Sequence, residues 1–194
     1  MSYKPSEIVD KYWISSINES YEFKLPRDER RSGKWLIFDN IKEIDKTWEI
    51  IRKATKLGLL GPSSKVSTSK ENKNAKDSNT RVICVFTENY NDLIDVERIE
   101  KKLRELGVIN KLLYKLDNNV GKYEKDGYKN LIEQVSYSKD YEEELNRIRK
   151  DHEVEIETQG HRTIVKYRRE DLIEDLINEQ KYLERLGIYL EEQR

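Results

Sequence analysis

Cysteine occurs once in the 194 residues, as Cys84. A single thiol excludes an internal disulfide and a cysteine-built zinc site, and its rarity fits a reducing compartment. Histidine occurs twice, as His152 and His161, with no pair spaced one helical turn apart. No metal and no cofactor are expected from that spacing. No apolar run approaches the roughly 18 residues that span a bilayer. The opening Met1-Ser2-Tyr3-Lys4-Pro5 lacks the apolar stretch of a signal peptide. A cytoplasmic location and no membrane partner are therefore expected. Neither sign of charge is in excess: 37 Lys and Arg stand against 38 Asp and Glu. That balance removes any global attraction to nucleic acid, so phosphate binding would have to come from a local basic cluster. Walker and dinucleotide glycine loops are missing, as is a serine nucleophile elbow. No catalytic residue can be assigned.

What is present is a regular alternation of apolar segments in a densely charged chain. Ser6 reads as the cap of a first helix running to about Ile17, with Ile8, Val9, Tyr12, Trp13 and Ile17 at helical spacing. Gly33-Lys34-Trp35-Leu36-Ile37-Phe38 reads as a strand. The stripe Ile44, Trp48, Ile51, Ala54 and Leu57 predicts a helix over 44–57, stopped by Gly58 and Gly61-Pro62. Ser63 to Thr68 is a strand with one lysine at its centre. Ser69 to Thr80 is polar and reads as a solvated hairpin loop. Arg81 to Thr87 is the most apolar strand. Ile94, Val96, Ile99, Leu103 and Leu106 predict a second helix over 93–106, closed by Gly107. Ile109 to Asp117 is a strand candidate, and Asn118 to Asn130 a long loop of the kind that often carries function.

Beyond about residue 137 the chain reads as an addition. Tyr141 to Lys150 suits a helix. Val154–Thr158 and Arg162–Tyr167 flank Gln159-Gly160, a hairpin signal. A terminal helix is expected from Asp171, with Leu172, Leu176, Leu183 and Leu186 on one face. The expected division is 1–137 for the core and 138–194 for the extension.

The order strand, helix, strand, strand, helix, strand resembles the mRNA cap-binding translation initiation factor 4E. The string Gly33-Lys34-Trp35-Leu36-Ile37, then Asp45-Lys46-Thr47-Trp48, then Thr87-Glu88-Asn89 before a helix, carries the likeness. Leu57-Gly58-Leu59-Leu60-Gly61 leading to Ser64-Lys65-Val66, the strand Val82 to Thr87, and Tyr114-Lys115-Leu116-Asp117 before Gly121 are similar to a family of mostly uncharacterised proteins labelled phosphothreonine lyase domain proteins. The resemblance covers the first two-thirds of the chain. It implies an α+β fold, a curved mixed or antiparallel sheet backed by helices; the two apolar stripes set both helices on the convex face, and the residues beyond about 138 add a C-terminal hairpin-helix extension. Trp35 and Trp48 sit in core-like contexts. The tryptophan sandwich of a cap binder is therefore not expected, and the phosphate side of such a site is.

Lys65 is the most pointed candidate. Strand alternation sets it opposite Val66, and lysine among serines suits a phosphate oxygen. Lys115 and Asp117 flank Leu116 and share a face. Arg81, Lys122 and Tyr123 stand in support, the tyrosine as a ring beside cations. The runs Arg27, Arg30, Arg31 and Arg162, Lys166, Arg168, Arg169 read as solvated charge. The expected function is a binding protein for a nucleotide or other phosphate-bearing ligand, RNA among the candidates. A lyase or phosphodiesterase acting on a phosphorylated ligand is the alternative, and a protein-interaction module the third reading. The sequence does not determine the oligomeric state.

Overall fold

A computed structural model of the chain describes residues 4–25, 31–71, 77–117, 134–136, 138–159, 162–168 and 173–193. The chain divides into two compact units, one of Met1–Val108 with Leu112–Gln134, the other of Ile109–Lys111 with Val135–Arg194.

In the first unit the described strands are β1 (Trp13–Ile17), β2 (Gly33–Asn40), β3 (Ser63–Ser67), β4 (Thr80–Thr87) and β5 (Leu112–Leu116), with helices α1 (Ile44–Lys56) and α2 (Leu93–Glu105). Together with β6 (Gln134–Ser136) the strands form one sheet in the order β1-β3-β4-β2-β5-β6. The pairs β1–β3, β3–β4, β4–β2 and β2–β5 are all antiparallel. Strand alternation splits the residues between two faces. Val66, Ile83, Val85, Trp35, Ile37, Leu112 and Tyr114 share a buried core with Ile44, Trp48, Ile51 and Ala54 of α1 and Val96, Ile99 and Leu103 of α2. Both helices therefore lie on one face, as expected, and the sheet is α+β and antiparallel in these pairs.

Polar bonds pin the helices. Thr47 of α1 donates to Asp39 of β2 at 2.6 Å. Trp35 donates its indole N–H to the Val96 carbonyl of α2 at 3.1 Å. Tyr114 packs edge-on to Trp35 and bonds Thr87 at 2.7 Å. Gly33 makes room for that tyrosine: a Cβ there would fall 2.1 Å from the Tyr114 hydroxyl oxygen.

Three expectations need correction. The residues from Ser6 to Ile17 are not a helix. A 3-10 turn covers Pro5–Glu7, and β1 begins at Trp13. Ser6 instead donates through N–H and hydroxyl to Asp45 at 2.9 and 2.5 Å, so its capping chemistry serves a tertiary bond. Leu57 is 74 % exposed and Ile94 84 % exposed, although each continued an apolar stripe. Leu57 lies past the last turn of α1, and Ile94 stands about 200° around α2 from the buried Val96, so it projects from the far side of that helix.

The second unit holds α3 (Lys139–Asp151), β7 (Glu155–Gln159), β8 (Arg162–Tyr167), α4 (Glu174–Asn178), α5 (Gln180–Arg185) and β9 (Ile188–Glu192). The expected hairpin is β7–β8. The expected terminal helix is two short helices and a strand, β9, parallel to β8. Gly187 turns the chain between α5 and β9 with φ 82°, a conformation that suits glycine. Leu176, Leu183 and Leu186 are buried as a stripe would have them, with Ile188 joining the same core. No helix among the described residues is long and apolar enough to cross a membrane.

Candidate functional site

The register places a second set of residues on the face turned away from α1 and α2. Lys65 pairs with Cys84, Cys84 with Leu36, and Leu36 with Leu113. One step along, Phe86 pairs with Lys34 and Lys34 with Lys115. Asp117 follows Lys115 by two residues, and its backbone N–H bonds the Ser32 carbonyl at 3.0 Å. Trp13 lies on the outer strand β1, opposite Ser67. Alternation sets all of these on one face, because the intervening residues are in the core. Lys65, Lys115 and Asp117 are thus brought to the same side.

Two arrangements organise this face. Lys65 Nζ stands 4.7 Å from the Trp13 ring centre and 5.2 Å from that of Phe86. Both distances fall within cation–π range. Among the described residues Lys65 has no carboxylate partner. Beside it, Lys34 Nζ is 2.8 Å from Asp117 Oδ1 and 5.7 Å from the Phe86 ring centre. Ser32 donates its hydroxyl to the other Asp117 oxygen at 3.3 Å. The Lys34 side chain is 11 % exposed and that of Asp117 28 %. Phe86 is the element common to both arrangements, with a lysine over its ring from each side strand. Cys84, two residues from Phe86 on the same face, is buried. Burial pushes its thiol up, and the charges of Lys65 and Lys34 pull it part of the way back. Among the described residues the strand positions of this face carry Lys34, Lys65 and Lys115 and serines at 15, 63 and 67, with Asp117 just past the end of β5. Such a surface offers many donors and little negative charge, which is the chemistry of a phosphate seat.

Arg81 does not join the cluster. It pairs with Asp39, which reaches α1, so it stands on the opposite face. Its guanidinium turns back onto the Ser78 and Thr80 carbonyls at 2.8 and 2.9 Å. The reason is parity: Arg81 is an odd number of residues from Cys84, and neighbours at odd separations project to opposite sides. Lys122 and Tyr123, and the loop over 118–130 that holds them, lie outside the described residues, as do His161, Arg27, Arg30, Arg169 and part of the loop over 69–80.

Three residues of the face escaped the sequence reading. Lys34 was legible, since it alternates with the buried Trp35. Phe86 was hidden inside an apolar strand whose two faces look alike. Trp13 was lost with the helix over 6–17, although Trp13-Ile14-Ser15-Ser16-Ile17 is rich in strand-forming types.

The model of the basophilic leukemia-expressed protein Bles03 family matches residues 27–131, more than half of the chain. The chain belongs to the Bles03 family. That match takes in β2 to β5, and hence Lys34, Lys65, Cys84, Phe86, Lys115 and Asp117; Trp13 lies before it. Nothing in the match to Bles03 supports the lyase activity that the resemblance implied. Solved structures similar to this Bles03-family chain include Caenorhabditis elegans eIF4E-3 with the 4E-binding protein Mextli, at 14 % identity and TM-score 0.40, covering 55 % of this chain and 64 % of that one. The same protein with Mextli and a cap analog gives 14 %, 0.41, 59 % and 67 %. Ascaris suum eIF4E-3 with an m2,2,7G cap gives 14 %, 0.38, 53 % and 61 %. The chain thus spans just under two thirds of the first of these.

Proposed function

We propose that the chain is a binding module for a phosphate-bearing ligand, a nucleotide or a stretch of RNA, taken on the sheet face turned away from α1 and α2. The observation that carries this reading is Lys65, a cation held between two aromatic rings with no carboxylate partner among the described residues. Cation–π contacts position the ammonium without neutralising it, so its charge stays available to an anion. Lys115 adds a second charge on the same face. Lys34, tied to Asp117, contributes shape and orientation more than net charge. Trp13 is 41 % exposed and offers a ring edge and face to a base lying beside the phosphate.

The test is a titration of the protein with nucleoside mono-, di- and triphosphates and a short single-stranded RNA, followed by tryptophan fluorescence. Binding by the parent and loss of it in Lys65→Ala is the expected result. Equal binding by parent and variant across the panel, or no binding by the parent, overturns the reading.

A further inference from the structure

The outer strand β1 is unusual for a sheet edge. Exposed edges are ordinarily blunted by charge, proline or a bulge, because their free amides can pair with another chain. Residues 13–17, Trp-Ile-Ser-Ser-Ile, carry none of these.

The direction of its amides follows from two bonds. Thr68 N–H donates to the Tyr12 carbonyl, and Asn18 N–H to the Pro62 carbonyl, each at 3.0 Å. Inward and outward pairs alternate along an antiparallel ladder. Tyr12, Ile14, Ser16 and Asn18 therefore turn their backbone groups toward β3, and Trp13, Ser15 and Ile17 turn theirs outward. Among the described residues no hydrogen bond is made to those outward groups. The side chains of Trp13 and Ile17 lie beside them, 41 % and 62 % exposed.

We infer that β1 is the docking strand for a second copy of this chain, joined antiparallel about a twofold axis at Ser15. The argument is the strand's self-complementarity. With Ser15 against Ser15 of the other copy, each Trp13 meets an Ile17, and an aromatic–β-branched pair is a favourable cross-strand partner. The three residues with outward amides then face one another, which satisfies both edges at once. With this register position 11 falls opposite position 19 of the other copy, which sets Lys11 against Glu19. A parallel arrangement would set like ends together. Such an interface is isologous and closes as a dimer. Trp13 serves in both readings, and this one is told apart from the ligand reading because it is read by mass with no ligand present.

Analytical ultracentrifugation over a wide concentration range tests it. The parent is expected to pass from monomer to dimer as concentration rises. Ser15→Pro removes an outward N–H that β3 does not use, and Ile17→Asp sets a carboxylate against the electron-rich ring of the other copy's Trp13; both should stay monomeric over the range in which the parent pairs. Circular dichroism of each checks that the fold is kept. Ser15→Cys reports the register directly. Opposed residues in a hydrogen-bonded pair have Cα atoms about 5.5 Å apart, within disulfide reach. Mild oxidation should cross-link Ser15→Cys into a covalent dimer and leave Val9→Cys, also exposed but off the strand, uncross-linked. A parent that remains monomeric throughout, or a Ser15→Cys variant that cross-links no faster than Val9→Cys, overturns the proposal.

Discussion

Lys65 of β3 and Trp13 of β1 form one unit: the ammonium lies 4.7 Å from the indole ring centre. They are not direct partners in the ladder, since Lys65 pairs with Ser15 and Trp13 with Ser67. The lysine reaches diagonally across two residues to the ring. The arrangement leaves a charge standing on an aromatic surface, and most of what the protein is expected to do with an anion depends on it.

Replacing Lys65 with alanine should weaken binding of a phosphate-bearing ligand tenfold to a hundredfold. A charge-assisted hydrogen bond is worth about 1.5–3 kcal/mol, and that is the loss expected. Thermal stability should fall only modestly, by the roughly 0.5–2 kcal/mol that its ring contacts are worth, because this partly buried lysine lies outside the apolar core. Added salt should weaken the parent's binding more than the variant's, since screening acts on a contact the variant lacks. Titration calorimetry at two ionic strengths reads both effects.

Lys34 and Asp117 should behave differently. Asp117→Ala removes the carboxylate 2.8 Å from a lysine with an 11 % exposed side chain. A largely buried ammonium then lacks its counter-charge. The two partners keep some access to water, so a loss of about 1–3 kcal/mol is expected, below the range for fully buried pairs. Lys34→Met together with Asp117→Ala should recover part of it. Urea unfolding of the two single variants and the double one measures the coupling; strictly additive losses would contradict it.

Trp48 is buried in the core among Ile44, Ile51 and Ala54. Truncation to alanine should cost about 3–5 kcal/mol. A loss below about 1 kcal/mol would mean that the ring is not part of the core. Denaturant midpoints at constant slope give the value.

Alkaline pH should destabilise the protein through Tyr114. Burial raises its phenol from the usual 10 to about 12. Between those values the folded protein keeps a proton that the unfolded chain releases. Stability is therefore fully present below about pH 10 and falls as pH rises toward 12, by about 1–2 kcal/mol. Tyr114→Phe has no phenol to titrate, so the part of the alkaline slope owed to this residue should vanish. Unfolding curves at four alkaline pH values for both proteins test the sign and the size.

Parts of the architecture were legible without coordinates, and the reasons are local. Helices α1 and α2 each carry a stripe at 3.6-residue spacing with a glycine just past the end, and both were found within one residue. Lys65 could be set against Val66 because a strand has period two. The stretch over 6–17 failed because two periods compete there: Ile8, Tyr12 and Trp13 fit a helix, while Trp13 to Ile17 favour a strand. Pairing with β3 supplies the hydrogen bonds that decide between them. The strand β9 was invisible for a related reason. Ile188, Tyr189 and Leu190 continue a leucine-rich helical pattern, and only Gly187 and the open side of β8 turn them into sheet.

Sequence alone determined which residues are apolar at which spacing, and so most of the core and most of the buried faces of α1 and α2, Leu57 and Ile94 apart, and the sparse cysteine and histidine chemistry. Tertiary structure decided which residues from distant strands meet. Lys34 and Asp117, or Lys65, Trp13 and Phe86, are far apart in the chain and become neighbours through register. Register depends on the summed fit of whole strands, and no local pattern encodes that sum.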